Sequence, residues 1–200
     1  MIALVDYGSG NLRSVEKALA AVGAEVCLSS DPGVILGAEM IVLPGVGAFG
    51  DAMSGLAERG LAEIIKKTAA RGIPLLGICV GMQLLFDESE EHGRHIGLGL
   101  LPGRVQRFEM TGFKIPHTGW NRILPTRKNP LIQGLPSGAY VYFNHSYFCE
   151  ATTADTLAYT EYGSPYSSIV GRGRLYGVQF HPEKSQQVGL TILRNFVESC

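Results

Sequence analysis

The chain has no apolar run approaching the roughly 20 residues that a membrane-spanning helix requires. Its first run, Met1-Ile2-Ala3-Leu4-Val5, stops at Asp6 and is too short and uncharged for a secretory signal. Charge is scarce as well. Only 18% of the 200 residues are charged and the net charge is −1, which argues against a nucleic-acid or membrane-surface footprint. The four cysteines, Cys27, Cys79, Cys149 and Cys200, form no Cys-x-x-Cys pair and no compact framework. A reduced, cytoplasmic protein is the expectation. His92 and His95 are spaced like a metal pair, but no further ligand cluster accompanies them, so no metal and no cofactor are expected. Internal repeats, low-complexity segments and linkers are also missing. At this length the expectation is a single domain, residues 1–200, large enough to bury a sizeable core.

Glycine, by contrast, is abundant: 26 residues suggest many tight turns between strands and helices. Ile2–Val5 is a continuous apolar run that reads as a buried parallel strand. Leu12, Val15, Leu19 and Val22 recur at helical spacing, and Gly23 fits a helix stop. Glu25–Leu28 and Met40–Leu43 read as the next strands, with a short loop or helix around Asp31–Gly37 between them. Leu61, Ile64, Ile65 and Thr68 mark a further helix face ending at Gly72. This alternation predicts an α/β fold with a central, mostly parallel sheet and helices on both faces. The segments Gly99–Phe108, Ala139–Glu150, Thr156–Thr160, Ser168–Val170 and Leu175–Phe180 read as strands that add to that sheet in antiparallel fashion. Val188, Ile192, Leu193, Phe196 and Val197 give a closing helix.

The most informative stretch is Pro74-Leu75-Leu76-Gly77-Ile78-Cys79-Val80-Gly81-Met82-Gln83. It reads as a strand, a tight turn with Cys79 at its apex, and an amphipathic helix. Taken alone, a cysteine is more often a small packed hydrophobe. Glycines two positions away on each side change that reading, because G-x-C-x-G is a nucleophile elbow with sulfur in place of a serine oxygen. The turn strains its central residue and leaves no room for flanking side chains. Cys79 would also sit at a helix N-terminus, where unpaired N–H groups favour a thiolate.

A cysteine nucleophile needs a proton acceptor, and the acceptor needs a group that fixes its tautomer. Tyr176-Gly177-Val178-Gln179-Phe180-His181-Pro182-Glu183 supplies both: His181 as the base and Glu183 as its orienting partner, with Pro182 bending the backbone between them.

The elbow and the His181/Glu183 pair resemble the triad-type, class I glutamine amidotransferases, which implies their three-layer α/β/α sandwich. Four further motifs are similar to the glutaminase subunits of imidazole glycerol phosphate synthase. They are Asp6-Tyr7-Gly8-Ser9-Gly10-Asn11-Leu12, Pro44-Gly45-Val46-Gly47-Ala48-Phe49-Gly50, Pro116-His117-Thr118-Gly119-Trp120-Asn121 and Tyr142-Phe143-Asn144-His145-Ser146-Tyr147. With the triad they run from residue 6 to 184, nearly the whole chain. The resemblance implies hydrolysis of glutamine to glutamate and ammonia. It also implies a (β/α)₈-barrel cyclase partner in a heterodimer. That partner uses the ammonia to make imidazole glycerol phosphate and an aminoimidazole carboxamide ribotide in histidine biosynthesis, so the complex acts as a lyase.

The Gly45–Gly50 stretch also matches the dinucleotide fingerprint G-x-G-x-x-G, but the next strand ends without the acidic residue a ribose requires. A glycine-rich loop presenting N–H groups to an oxyanion is the better reading. The resemblance points to Gly47 together with the N–H of Val80. Gln83 lies one turn after Cys79, where its amide would reach a substrate above the sulfur, or else cap or meet solvent. The family uses this glutamine to hold substrate. Glu91 ends the run Asp87-Glu88-Ser89-Glu90-Glu91, which by itself reads as a solvated loop; the family sets a glutamate here against the substrate ammonium. The resemblance further implies that Ser146 and Tyr147 contact glutamine through backbone groups. It also implies that Gly10, Asn11, Trp120, Asn121, Tyr142 and Lys184 face the partner. Trp120 alone reads equally as core or as an interface anchor, and His117 and His145 read as structural. Three rivals remain: the glutaminase subunit of another synthase, such as pyridoxal phosphate synthase; a partner-free cysteine hydrolase or peptidase; and a nucleotide-binding module. The motifs Asp6–Asn11 and Pro116–Asn121 weigh against the first.

Overall fold

A computed structural model describes residues 1–109 and 112–199; Cys200 lies outside them. Strand β1, Ile2–Val5, leads to helix α1, Leu12–Ala21, strand β2, Val26–Ser29, helix α2, Pro32–Leu36, and strand β3, Met40–Leu43. Helices α3, Phe49–Glu58, and α4, Leu61–Ala70, then precede β4, Leu75–Ile78. Strands β1 and β4 are buried throughout and β3 nearly so, which is why each reads as an unbroken apolar run rather than an alternating one. They pair in the order β2-β1-β3-β4, all parallel. Right-handed crossovers then fix the layers: α1 crosses in one direction, while α2, α3 and α4 cross in the other and so cover the opposite face. In keeping with this, α2 packs on α4 and α3 on α4, while α1 packs on the closing helix α6, Gln186–Ser199.

The first three strands, their helices and α6 follow the sequence reading, with β2 shifted one residue later. Helix α3 was not foreseen. Nor is the elbow followed by an extended amphipathic helix: α5 is a single buried turn, Val80–Gln83, and the chain turns at once into β5, Phe86–Ser89. The acidic run is therefore not a solvated loop. Its charges are placed in register: Glu88 pairs with Arg94, Asp87 accepts the Gly103 N–H, and Glu90 accepts the Arg107 N–H.

The second half also departs from the expectation of one extended sheet. Its strands are β6, His95–Ile96; β7, Leu101–Arg107; β8, His117–Arg122; β9, Leu124–Pro125; β10, Tyr140–His145; β11, Tyr147–Ala151; β12, Thr156–Tyr162; β13, Ser164–Arg172; and β14, Leu175–Val178. Strand β14 enters the central sheet parallel to β4, and β13, β12 and β9 extend it antiparallel. The remainder form a separate four-stranded sheet, β11-β7-β5-β6, and a two-stranded one, β10-β8. The break at Ser146 between β10 and β11 sends the chain from one of these sheets to the other. Because β4 and β14 are parallel neighbours, their C-terminal ends lie side by side, and ligands in open α/β sheets bind at such ends.

Candidate active site

Cys79 follows β4 with φ +53° and ψ −112°, in the positive-φ region that side chains rarely adopt. Such strain costs on the order of 1–3 kcal/mol and persists only where surroundings impose it. Here they do. The Cys79 N–H donates to the Val178 carbonyl of β14 at 2.8 Å. A Cβ on Gly77 would meet the Gly81 carbonyl at 2.5 Å, and one on Gly81 would collide with the Leu43 carbonyl at the end of β3. Both elbow glycines are thus demanded by close backbone approach.

His181 follows β14 and comes to the same end of the sheet. Its backbone is clamped: its N–H donates to the Tyr142 carbonyl at 2.9 Å, and its carbonyl accepts from Ser185 Oγ at 2.6 Å. Its Nδ1 lies 2.9 Å from Glu183 Oε1, and its ring is hydrogen-bonded to Cys79. The Glu183 side chain is 1% exposed, and its Oε2 has no partner among the described residues. A desolvated carboxylate with one open oxygen requires a cation beside it, and His181 is the neighbour able to supply one. Burial pulls the imidazole downward, but the hydrogen bonds and charges offered by Cys79 and Glu183 outweigh it and raise His181 to about 10. Both neighbours thus favour the protonated imidazole.

That direction sets a pH dependence. The fold favours protonated His181, so its contribution to stability is complete below the ordinary value of 6.5 and is lost as pH rises through about 10. The same proton is the one available to a leaving group. Turnover is expected to hold on the alkaline side and fall as pH approaches 10, measured as a kcat–pH profile. A falling limb near 7 would show that His181 is not held protonated.

A narrow cleft of about 100 Å³ opens over the sulfur, lined by Val46, Gly47, Cys79, Val80, Gln83, Glu91, Asn144, His145, Ser146, Tyr147 and His181. Every sequence-predicted catalytic, oxyanion and substrate residue except Glu183, which sits behind His181, reaches this one cleft. (A larger concavity along Pro125–Leu135, about 750 Å³, contains none of them.) Two details differ from the expectation. Gln83 is buried, and its amide nitrogen already donates to the Tyr147 carbonyl at 3.1 Å and to Gln179 Oε1 at 3.2 Å. Its carbonyl oxygen is what remains for a substrate. The Tyr147 carbonyl accepts from both Gln83 and His145 Nδ1, so its lone pairs are taken. Glu91 Oε2 accepts the Phe49 N–H at 2.7 Å, which fixes the carboxylate at the start of α3. The Gly47 and Val80 N–H groups donate to no acceptor among the described residues.

His117 and His145 are structural, as expected. Because the Tyr147 carbonyl only accepts, His145 carries its proton on Nδ1, and its Nε2 faces the Tyr166 hydroxyl at 3.2 Å. His117 Nδ1 faces the same hydroxyl at 3.2 Å. Desolvation lowers both, His117 to about 4 and His145 to about 3.

Some of the residues expected to face a partner lie on the two-stranded sheet. Trp120 and Tyr142 are paired across β8 and β10, Trp120 is 47% exposed, and Lys184 Nζ stands 5.8 Å from the Tyr142 ring. Asn121 donates to the Glu161 carbonyl. Gly10 takes φ +124°. Asn11 stands at the N-cap of α1 but its side chain makes no cap bond; its Nδ2 points to Glu183 Oε1 at 3.4 Å, which ties it to the triad. Sequence reasoning missed Gln179, which is fully buried with its amide nitrogen 3.8 Å from Cys79 Sγ. The signal was its place two residues before His181, just past the end of β14.

This arrangement has close relatives. The family model for class-I glutamine amidotransferases matches residues 3–200. The chain belongs to that family. Imidazole glycerol phosphate synthase subunit HisH of Symbiobacterium thermophilum is 53% identical over 98% of this chain and 92% of the relative. The subunit of the same name in Moorella thermoacetica is 50% identical over 98% and 94%. Among solved structures, one of a glutamine amidotransferase aligns with TM-score 0.78 at 21% identity, covering 99% of this chain and 98% of that one. PurLQS from Thermotoga maritima aligns with TM-score 0.74 at 20% identity, covering 98% and 96%. The structural likeness shows the fold, and the 50–53% identities place the amidotransferase among the HisH subunits.

Proposed function

We propose that this amidotransferase, acting as a single domain over residues 1–200, hydrolyses glutamine with the triad Cys79, His181 and Glu183 and passes the ammonia to a (β/α)₈-barrel cyclase in the cytoplasm. The partner uses it to make imidazole glycerol phosphate and aminoimidazole carboxamide ribotide in histidine biosynthesis. The observation that carries this reading is the placement of the strained Cys79 elbow beside His181, itself paired with Glu183, on one narrow cleft.

The chemistry runs as follows. Cys79 Sγ attacks the side-chain amide carbon, and the oxygen becomes an oxyanion facing the Gly47 and Val80 N–H groups. His181 gives its proton to the leaving nitrogen, the C–N bond breaks, and ammonia departs. Water then attacks the thioester, giving its proton to His181, and the C–S bond breaks to release glutamate. Gln83 Oε1 and the Glu91 carboxylate hold the substrate's ammonium end, and Ser146 and Tyr147 wall the cleft. Gly10, Asn11, Trp120, Asn121, Tyr142 and Lys184 meet the partner, with Trp120 and Tyr142 as aromatic anchors of the kind that dominate interfaces. None of these steps calls for a metal or an organic cofactor.

Glutamate formation by two variants tests the roles. His181→Ala removes turnover, because no other group in the cleft can protonate the leaving nitrogen. Glu183→Gln retains a reduced but measurable rate, since it withdraws charge from the base without removing the base. Full activity in Glu183→Gln would show that another group orients His181.

A further inference from the structure

We propose that Gln179 is a further catalytic residue, whose side-chain amide stabilises the Cys79 sulfur as an anion when it attacks the substrate and again when it leaves the thioester. This deepens the glutaminase reading and rests on it.

The orientation of the amide follows from chemistry. The Tyr147 carbonyl can only accept, so Gln83 must present its NH₂ group there. The same NH₂ reaches Gln179 at 3.2 Å, and an NH₂ donor requires an oxygen opposite it. Gln179 Oε1 is therefore turned to Gln83, which leaves Nε2 turned to Cys79 Sγ at 3.8 Å. Gln179 is 0% exposed, so this amide is withdrawn from water and its donor is aimed at sulfur. Cys79 is 3% exposed, so the sulfur too lacks bulk solvent. A thiolate there is stabilised by the hydrogen bonds it receives.

Gln179 and His181 both follow β14 and both reach the sulfur, but they serve it differently. His181 gives its proton away when ammonia leaves, and so cannot hold the sulfur throughout. Gln179 does not titrate. When water cleaves the thioester, the electron pair of the C–S bond returns to Sγ, and a fixed N–H donor is already in place to receive that charge. Through Oε1 the same side chain fixes Gln83, so its loss also loosens the substrate-facing oxygen.

The test uses Gln179→Met, which removes the donor and keeps an unbranched side chain, and Gln179→Glu, which sets an acceptor against the sulfur. Iodoacetamide labelling of Cys79 is followed by peptide mass spectrometry from pH 5 to 10, and kcat and KM for glutamine are measured with the partner present. The expected result is a shift of the labelling profile to higher pH in Gln179→Met and a larger shift in Gln179→Glu. The expected fall in kcat is about 10- to 100-fold, the worth of a hydrogen bond to a charged group. A residue that only packed would leave the labelling profile in place. If Gln179→Met melts before assay, Gln179→Glu, which keeps the bond to Gln83, decides. Wild-type labelling profiles and kcat in the folded variants overturn the proposal. If wild-type enzyme with partner fails to release glutamate, the functional reading falls, while the labelling arm still decides the Gln179–Cys79 contact.

Discussion

Cys79→Ala is expected to abolish glutamine-dependent synthesis by the assembled enzyme and to leave synthesis from free ammonia intact. Removing the nucleophile of a triad costs on the order of 10⁶ in rate. The substitution is mild for the fold. It deletes one sulfur and keeps the Cβ, so the backbone at φ +53° carries no strain that cysteine did not already carry. The elbow's support comes from backbone contacts, the Cys79 N–H to Val178 and the close approach of Gly77 and Gly81, and none of these uses Sγ. The partner-facing residues are equally untouched. Ammonia supplied in solution bypasses the cleft, so the partner's chemistry continues. Comparing the two nitrogen donors in one preparation makes the measurement self-controlled. Equal loss with both would show that Cys79 supports the fold or the assembly rather than the chemistry.

The elbow was legible in sequence because its constraint is steric and local. Two glycines flanking a cysteine after an apolar run leave few conformations, and the same backbone contacts that demand them also fix the nucleophile. Strands β1, β3 and β4 were legible because burial on both faces leaves them no polar residue. Helix α3 carries Gly50 and Gly55, a residue type that disfavours helix interiors. In the fold they serve packing: a Cβ on Gly55 would meet the Tyr7 carbonyl at 2.5 Å, and one on Gly50 the His95 ring at 2.7 Å. The four-stranded sheet was hidden for a different reason. Its acidic strand is balanced by Arg94 and by the backbone donors of Gly103 and Arg107, partners whose register is tertiary rather than local. Asn11 was read as partner-facing alone, since nothing 172 residues away in sequence could announce its approach to Glu183.

The second large effect concerns control by the partner. The isolated chain is expected to hydrolyse glutamine slowly, and the cyclase with its ligand bound to raise that rate by at least about 10²–10³, the worth of one oxyanion donor. The triad sits on firm elements, a glycine-locked elbow and a strand end clamped by Tyr142 and Ser185. The oxyanion loop is held differently. Gly47 takes φ +90° with open space where a Cβ would stand, and Val46 is 38% exposed. A peptide between such residues can turn over at small energetic cost, and its N–H and C=O point in opposite directions. One orientation offers a donor to the developing charge and the other offers a repelling carbonyl. The present tie on this peptide is the Ser9 hydroxyl, which donates to the Val46 carbonyl at 2.7 Å. Ser9 adjoins Gly10 and Asn11, and Asn11 reaches Glu183, so contact at this edge bears on the oxyanion loop and the triad together. Tyr142, on the same proposed face, carries the carbonyl that holds the His181 backbone. A partner that binds one peptide orientation better shifts the population by its differential affinity and no more. The measurement is glutamine turnover by the chain alone, by the complex, and by the complex with the cyclase ligand. An isolated chain that runs as fast as the liganded complex would show that the donor is already in place and that the loop is no switch.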